Sequence, residues 1–146
     1  MTRKIIGIDP GKKGGIAVLD MADRRVDAIA MPDTPRGLHE ALTASTPVSL
    51  AVLEKPFYPR QIGTTNAAKI AENYGILKGA LLWLDIPTFE VRPKDWKRSL
   101  SVSTDKNEAR RRAGEFFPLD ADQWKLKKHD GLAEAALIAW FGVKWL

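Results

Sequence analysis

Leu50, Ala51, Val52 and Leu53 are apolar without alternation, and the run stops abruptly on a carboxylate, Glu54. A strand with one wet face alternates apolar and polar residues, so an unbroken run over residues 49–54 predicts a central strand buried on both faces. That requirement constrains the rest of the chain strongly. Helices must cover both sides of a sheet, and Glu54 must end its strand where a carboxylate is expensive to bury unless something positive meets it.

The segments around this run supply the other elements. Lys4–Asp9 and Gly15–Asp20 are short apolar stretches joined by Pro-Gly-Lys-Lys-Gly, which predicts a hairpin, and residues 25–31 alternate as a third strand that Pro32 stops. Thr34 followed by Pro35 has the form of a helix cap with proline at the first helical position, opening a short helix through Leu38, Ala41 and Leu42. Residues 66–84 carry Ala67, Ile70, Ala71, Tyr74, Leu77, Leu81 and Leu84 at helical spacing. A second stripe on the same helix, Ile76, Ala80 and Trp83, with Gly75 and Gly79 at its level, suits either a dimer interface or packing within the same subunit. Thr88–Val91 reads as a fifth strand, residues 93–100 as a helical turn, 105–117 as a basic helix capped by Thr104 or Asp105, and 130–145 as the last helix. The order predicts an α/β layer arrangement with a mixed sheet, in one domain spanning residues 1–146. By itself that order leaves several folds open.

Composition removes several function classes. No apolar run approaches the ~18 residues needed to cross a bilayer, and the amino terminus runs straight into a strand without the regions of a secretory signal. A cytoplasmic setting is the expectation. The absence of cysteine excludes a disulfide framework and a thiolate metal site. The formal charge of +5 is unevenly spread: residues 92–128 hold eleven Lys/Arg against six acids, while the remainder is balanced at twelve against twelve. Such a segment suits a phosphate backbone, with a solvated helix face as the structural alternative.

Four carboxylates carry the chemistry. Asp9 ends an apolar strand before a glycine-rich turn, although aspartate also begins turns for backbone hydrogen-bonding reasons. Glu54 ends the central run, where a salt bridge to Lys55 or a nearby arginine is the structural alternative. Asp130 and Glu134 are four apart on a helix whose other residues from Leu132 to Ala139 are leucine, isoleucine and alanine, which puts both on one face. Like charges at that spacing repel, and a divalent cation removes the objection; helix-dipole placement explains Asp130 well and Glu134 less well. With no cysteine and two histidines, the set is oxygen-rich and suits Mg²⁺ or Mn²⁺ rather than zinc. Paired ions at such a site promote phosphodiester hydrolysis.

With these residues in view, the chain resembles the RuvC family of Holliday junction resolvases, in particular its short phage-like members, collinearly over nearly its whole length. GIDPG with Asp9 is similar to the family's first-strand motif, LEKPF with Glu54 to its central-strand motif, and KHDGLAEAALIAW with Asp130 and Glu134 to its carboxy-terminal acidic helix. The resemblance implies a ribonuclease H-like fold, a five-stranded mixed sheet with helices on both faces. It implies catalysis by Asp9, Glu54, Asp130 and Glu134 on two Mg²⁺ ions, with Mn²⁺ substituting. NAAKIAENYGILKGAL resembles the family's dimer helix, so a homodimer through residues 66–84 is expected. VRPKDWKRSL and TDKNEARRRA resemble its DNA-contacting segment, with Lys97 and Lys106 at the matching positions and Arg110 and Arg111 nearby. Phe57 matches an aromatic used against bases at the opened junction centre, a contact with a sound stacking basis. In bacterial relatives the last two acidic positions are commonly three apart, and a histidine sometimes takes the first, so both His129 and Asp130 stand for the third metal position.

The expected activity is symmetric, metal-dependent cleavage of four-way junction DNA. The alternatives are a nuclease of the same fold acting on RNA or on flaps, a junction-binding protein without turnover, and a small ATP-binding module suggested by DPGKKGG. The last is disfavoured because GKKGG lacks P-loop spacing and one domain leaves no room for a second phosphate loop.

Overall fold

A computed structural model describes residues 3–146, apart from the side chain of Lys106. Five strands, β1 (Lys4–Asp9), β2 (Gly15–Asp20), β3 (Arg25–Ala30), β4 (Leu50–Glu54) and β5 (Thr88–Val91), form one sheet in the order β3-β2-β1-β4-β5. β1, β2 and β3 are an antiparallel meander, whereas β4 runs parallel to both β1 and β5. This is the five-stranded mixed sheet expected from sequence.

β4 is buried at every position, as its unbroken apolar run requires. Ala51 and Leu53 join Ile6 and Ile8 on one face, under α1 (Pro35–Ser45) and α2 (Thr64–Trp83). Leu50 and Val52 join Ile5 on the other, under α3 (Pro93–Ser99), α4 (Lys106–Phe116) and α5 (Asp130–Phe141). The caps follow the sequence: Thr34 accepts from the Gly37 amide at 3.0 Å, and Asp105 rather than Thr104 caps α4, accepting from Asn107 at 2.8 Å. The last helix is shorter than expected. α5 ends at Phe141, and Gly142–Trp145 tightens into a 3₁₀ turn, as last turns commonly do.

Two features position the site. α5 lies so close to β1 that a Cβ on Gly7 would collide with the backbone of Ala135 and Ala139, so the small residues of α5 and Gly7 together set the helix-to-sheet distance. At the edge, β3 is closed by side chains instead of a sixth strand. Asp120 accepts from the Val26 amide and Gln123 brackets β3 by accepting from Ala28 N and donating to Val26 O, each at 2.7–2.9 Å.

Candidate active site

Strand parity and helix spacing together gather the acidic residues. Alternate side chains of a strand share a face, so Asp9 lies on the α5 side with Ile5 and Gly7, and Glu54 lies there with Leu50 and Val52. β1 and β4 are adjacent and parallel, paired through Ile8 and Leu53, and each continues by one residue into its carboxylate. The two acids therefore stand side by side at the carboxyl ends of neighbouring strands. α5 crosses this face and adds Glu134. One oxygen from each of Asp9, Glu54 and Glu134 lies within 4.8 Å of the others, the one group of this kind among the described residues.

Glu54 is only 9% exposed. Burial, and then the neighbouring Asp9 charge, push its carboxyl up to about 8; Glu134 adds to the rise, while the Trp96 indole and Lys97 oppose it. Trp96 Nε1–H donates to Glu54 Oε2 at 2.5 Å. Asp9 accepts from the Gly11 amide at 3.3 Å, so its turn-forming and clustering roles coexist. Three carboxylates this close repel one another, and a divalent cation offsets that repulsion. The donor set fits: all ligands are hard oxygens, and Mg²⁺ or Mn²⁺ takes such ligands with water completing the shell.

The remaining residues singled out in the sequence are placed differently. Asp130 is buried on the first turn of α5 and does not enter the group of three; Arg110 holds it, with Nε to Oδ1 at 2.7 Å. Arg110 also donates to the Lys125 carbonyl at 3.1 Å and to Asn107, so this guanidinium turns inward. Arg111 is tied to Glu108 and Glu115. Much of the positive charge counted along α4 is thus matched within the helix or across to α5. His129 ends the 3₁₀ turn Lys127–His129; it lies outside the group of three, and its buried Nδ1 has no hydrogen-bond partner among the described residues. Lys97 sits beside the site, its ammonium 5.5 Å from the Trp96 ring and acting on the Glu54 charge. Lys106 opens α4, but its side chain lies outside the described residues. Phe57, 74% exposed in the β4–α2 connection, lines with Asp9, Glu54, Lys12 and Lys69 a cleft of about 670 Å³.

Sequence reasoning missed Trp96. Its indole carries one donor that needs a partner once buried, but nothing in the local sequence says which acceptor 42 positions away supplies it.

Comparison with known proteins places this arrangement. No protein-family model matches the chain. A curated relative, the crossover junction endodeoxyribonuclease RuvC of Thermotoga maritima, is 27% identical over 155 residues, covering 94% of this chain and 88% of the relative. Thermus thermophilus RuvC, solved in complex with a Holliday junction substrate, superimposes with a TM-score of 0.67 at 16% identity, covering 97% of this chain and 96% of that one. The chain is RuvC-like. The Holliday junction resolvase of fowlpox virus shares the fold at a TM-score of 0.58 and 18% identity, over 98% of this chain and 99% of that one. The RuvC-like architecture is the ribonuclease H-like α/β fold that the sequence motifs implied. No helix among the described residues is long and apolar enough to cross a membrane.

Proposed function

We propose that this chain is a Holliday junction resolvase, a metal-dependent endonuclease that cuts four-way DNA junctions symmetrically and leaves 5′-phosphate and 3′-hydroxyl ends. The observation that carries the reading is the convergence of Asp9, Glu54 and Glu134 at one end of a RuvC-like sheet, with Phe57 and Lys97 beside them.

In this reading Asp9, Glu54 and Glu134 hold Mg²⁺, for which Mn²⁺ substitutes. Bound divalent ions supply an activated water and neutralise charge at the scissile phosphate. Asp130 joins the set for a second ion by leaving Arg110, with His129 behind it at the same helix start. Lys97 and Lys106 neutralise the phosphate from α3 and α4. Phe57, exposed at the mouth of the cleft, stacks on unpaired bases at the crossover. Arg110 and Arg111 shape the basic flank and contribute to DNA binding mainly through long-range charge, because Arg111 is tied to Glu108 and Glu115 and Arg110, once Asp130 leaves it, keeps its bonds to Asn107 and the Lys125 carbonyl.

Symmetric cleavage needs two sites, and a homodimer through α2 provides them. Support for this comes from Leu82 and Trp83, 74% and 85% exposed, and from the open space over Gly75 and Gly79.

The test is Mg²⁺-dependent cleavage of a synthetic mobile four-way junction, with an RNA–DNA hybrid and a flap run in parallel. Paired, symmetric nicks in the junction are expected. In Asp9→Asn, cleavage is lost while junction binding survives. Full activity in that variant would overturn the site assignment, and preferential cleavage of the hybrid would move the substrate to RNA.

A further inference from the structure

Trp96 is the largest side chain wholly out of solvent that touches the acidic group. It sits on α3, a helix that contributes no acid to the cluster, and its indole ring is fully buried in the core beneath β4. An indole has one N–H and no acceptor, so its direction is set by one hydrogen bond. That bond goes to Glu54 Oε2 at 2.5 Å. The last torsion of a glutamate is broad, and a carboxylate free to rotate presents its oxygens to a cation in many orientations. A rigid donor on one oxygen removes that freedom. The ring is held by the core, so the Glu54 carboxylate is held by the ring.

We infer that Trp96 is a positioning residue: its indole N–H fixes the Glu54 carboxylate so that the remaining lone pairs meet those of Asp9 and Glu134 at one cation. The inference rests on the metal-site reading above and deepens it by naming a group behind the ligands. Outer hydrogen-bond partners of metal ligands typically change metal affinity by about 10- to 100-fold when removed.

The protein carries its own control. Trp124 is as deeply buried as Trp96, in the same core cluster, yet its Nε1 has no hydrogen-bond partner among the described residues. Trp96→Phe and Trp124→Phe remove the same atoms from comparable surroundings, and only the first removes a bond to a carboxylate. The experiment is Mn²⁺ binding to the DNA-free protein, followed by electron paramagnetic resonance, in wild type, both phenylalanine variants and Glu54→Gln. Trp96→Phe is expected to bind Mn²⁺ about 10- to 100-fold more weakly than wild type, with Trp124→Phe within about twofold of wild type. Equal affinities in the two phenylalanine variants would overturn the positioning role alone. Indistinguishable binding by wild type and Glu54→Gln would overturn the metal-site reading, and the inference with it.

A second measurement needs no core substitution. In wild-type protein loaded with Mg²⁺, the Trp96 indole proton is expected downfield of those of the other four tryptophans in a ¹⁵N-resolved NMR spectrum, and to move upfield in Glu54→Gln, where a neutral amide oxygen replaces the metal-held carboxylate as acceptor. An indole proton unmoved by Glu54→Gln would overturn the inference even if Trp96→Phe does not fold.

Discussion

Replacing Glu54 by glutamine in protein stripped of divalent ions should make the fold more stable, by an amount that grows as pH rises from about 4.5 to about 8. The Glu54 carboxyl is pushed from its ordinary 4.5 to about 8, chiefly by burial and then by the Asp9 charge. The unfolded chain releases this proton near 4.5 and the folded chain near 8, so between those values the folded state binds more protons and stability falls as pH rises. Below the window both states are protonated and the penalty is absent. Above it both are ionised and the penalty is constant. At about 1.4 kcal/mol for each pH unit crossed, the full window amounts to roughly 5 kcal/mol. Glutamine is neutral throughout and still offers the Trp96 indole an oxygen. Urea unfolding in chelator, followed by circular dichroism, should therefore find Glu54→Gln more stable than wild type by roughly 3–5 kcal/mol near pH 8.5 and equal to it within about 1 kcal/mol near pH 4. With an m-value of about 1–3 kcal/mol/M, the alkaline difference is a midpoint shift on the order of 2 M urea. Added Mn²⁺ should stabilise wild type and leave the variant almost unmoved, since an ion binding only the folded state adds stability by mass action. Parallel pH profiles for the two proteins would refute the reasoning, because burial beside Asp9 would then not disfavour the Glu54 charge.

Lys97→Ala should slow junction cleavage by about 100-fold and reduce the slope of log affinity against log salt by about one, read from cleavage rates and from a binding series in rising salt. Phe57→Ala should leave the melting temperature unchanged, because the ring is 74% exposed, and weaken crossover opening by about 1–3 kcal/mol, read from 2-aminopurine fluorescence at the junction centre. Trp83→Glu places a charge on the exposed end of α2 and should shift the protein from dimer to monomer in sedimentation velocity at micromolar concentration.

The local order of the sequence determined most of the fold. The unbroken apolar run at Leu50–Glu54 demanded cover on both faces, the alternation at β3 marked a half-buried strand, and proline and cap residues marked where helices begin. It also determined that Asp9, Glu54 and Glu134 would meet, because period-two parity aims the strand-end acids at one face and an Ala-rich helix lies on that face. These are short-range rules, and a linear sequence displays them directly.

What it did not display were pairings between side chains on separate elements. Counting charge along residues 92–128 suggested a free basic surface, but Arg110 of α4 meets Asp130 of α5; the pairing of Arg111 with Glu108 and Glu115, by contrast, lies within α4 at spacings that a sequence does show. The spacing of Asp130 and Glu134 placed both on one helix face, yet α4 packs against the first turn of α5 and its guanidinium reaches Asp130 there. The indole behind Glu54 was equally hidden. The Arg110–Asp130 and Trp96–Glu54 contacts depend on how one element docks on another, within a few ångströms and across 20 or more positions of chain. Residue type and period determine which faces are apolar and where carboxylates cluster; only the packed structure decides which neighbour each carboxylate touches.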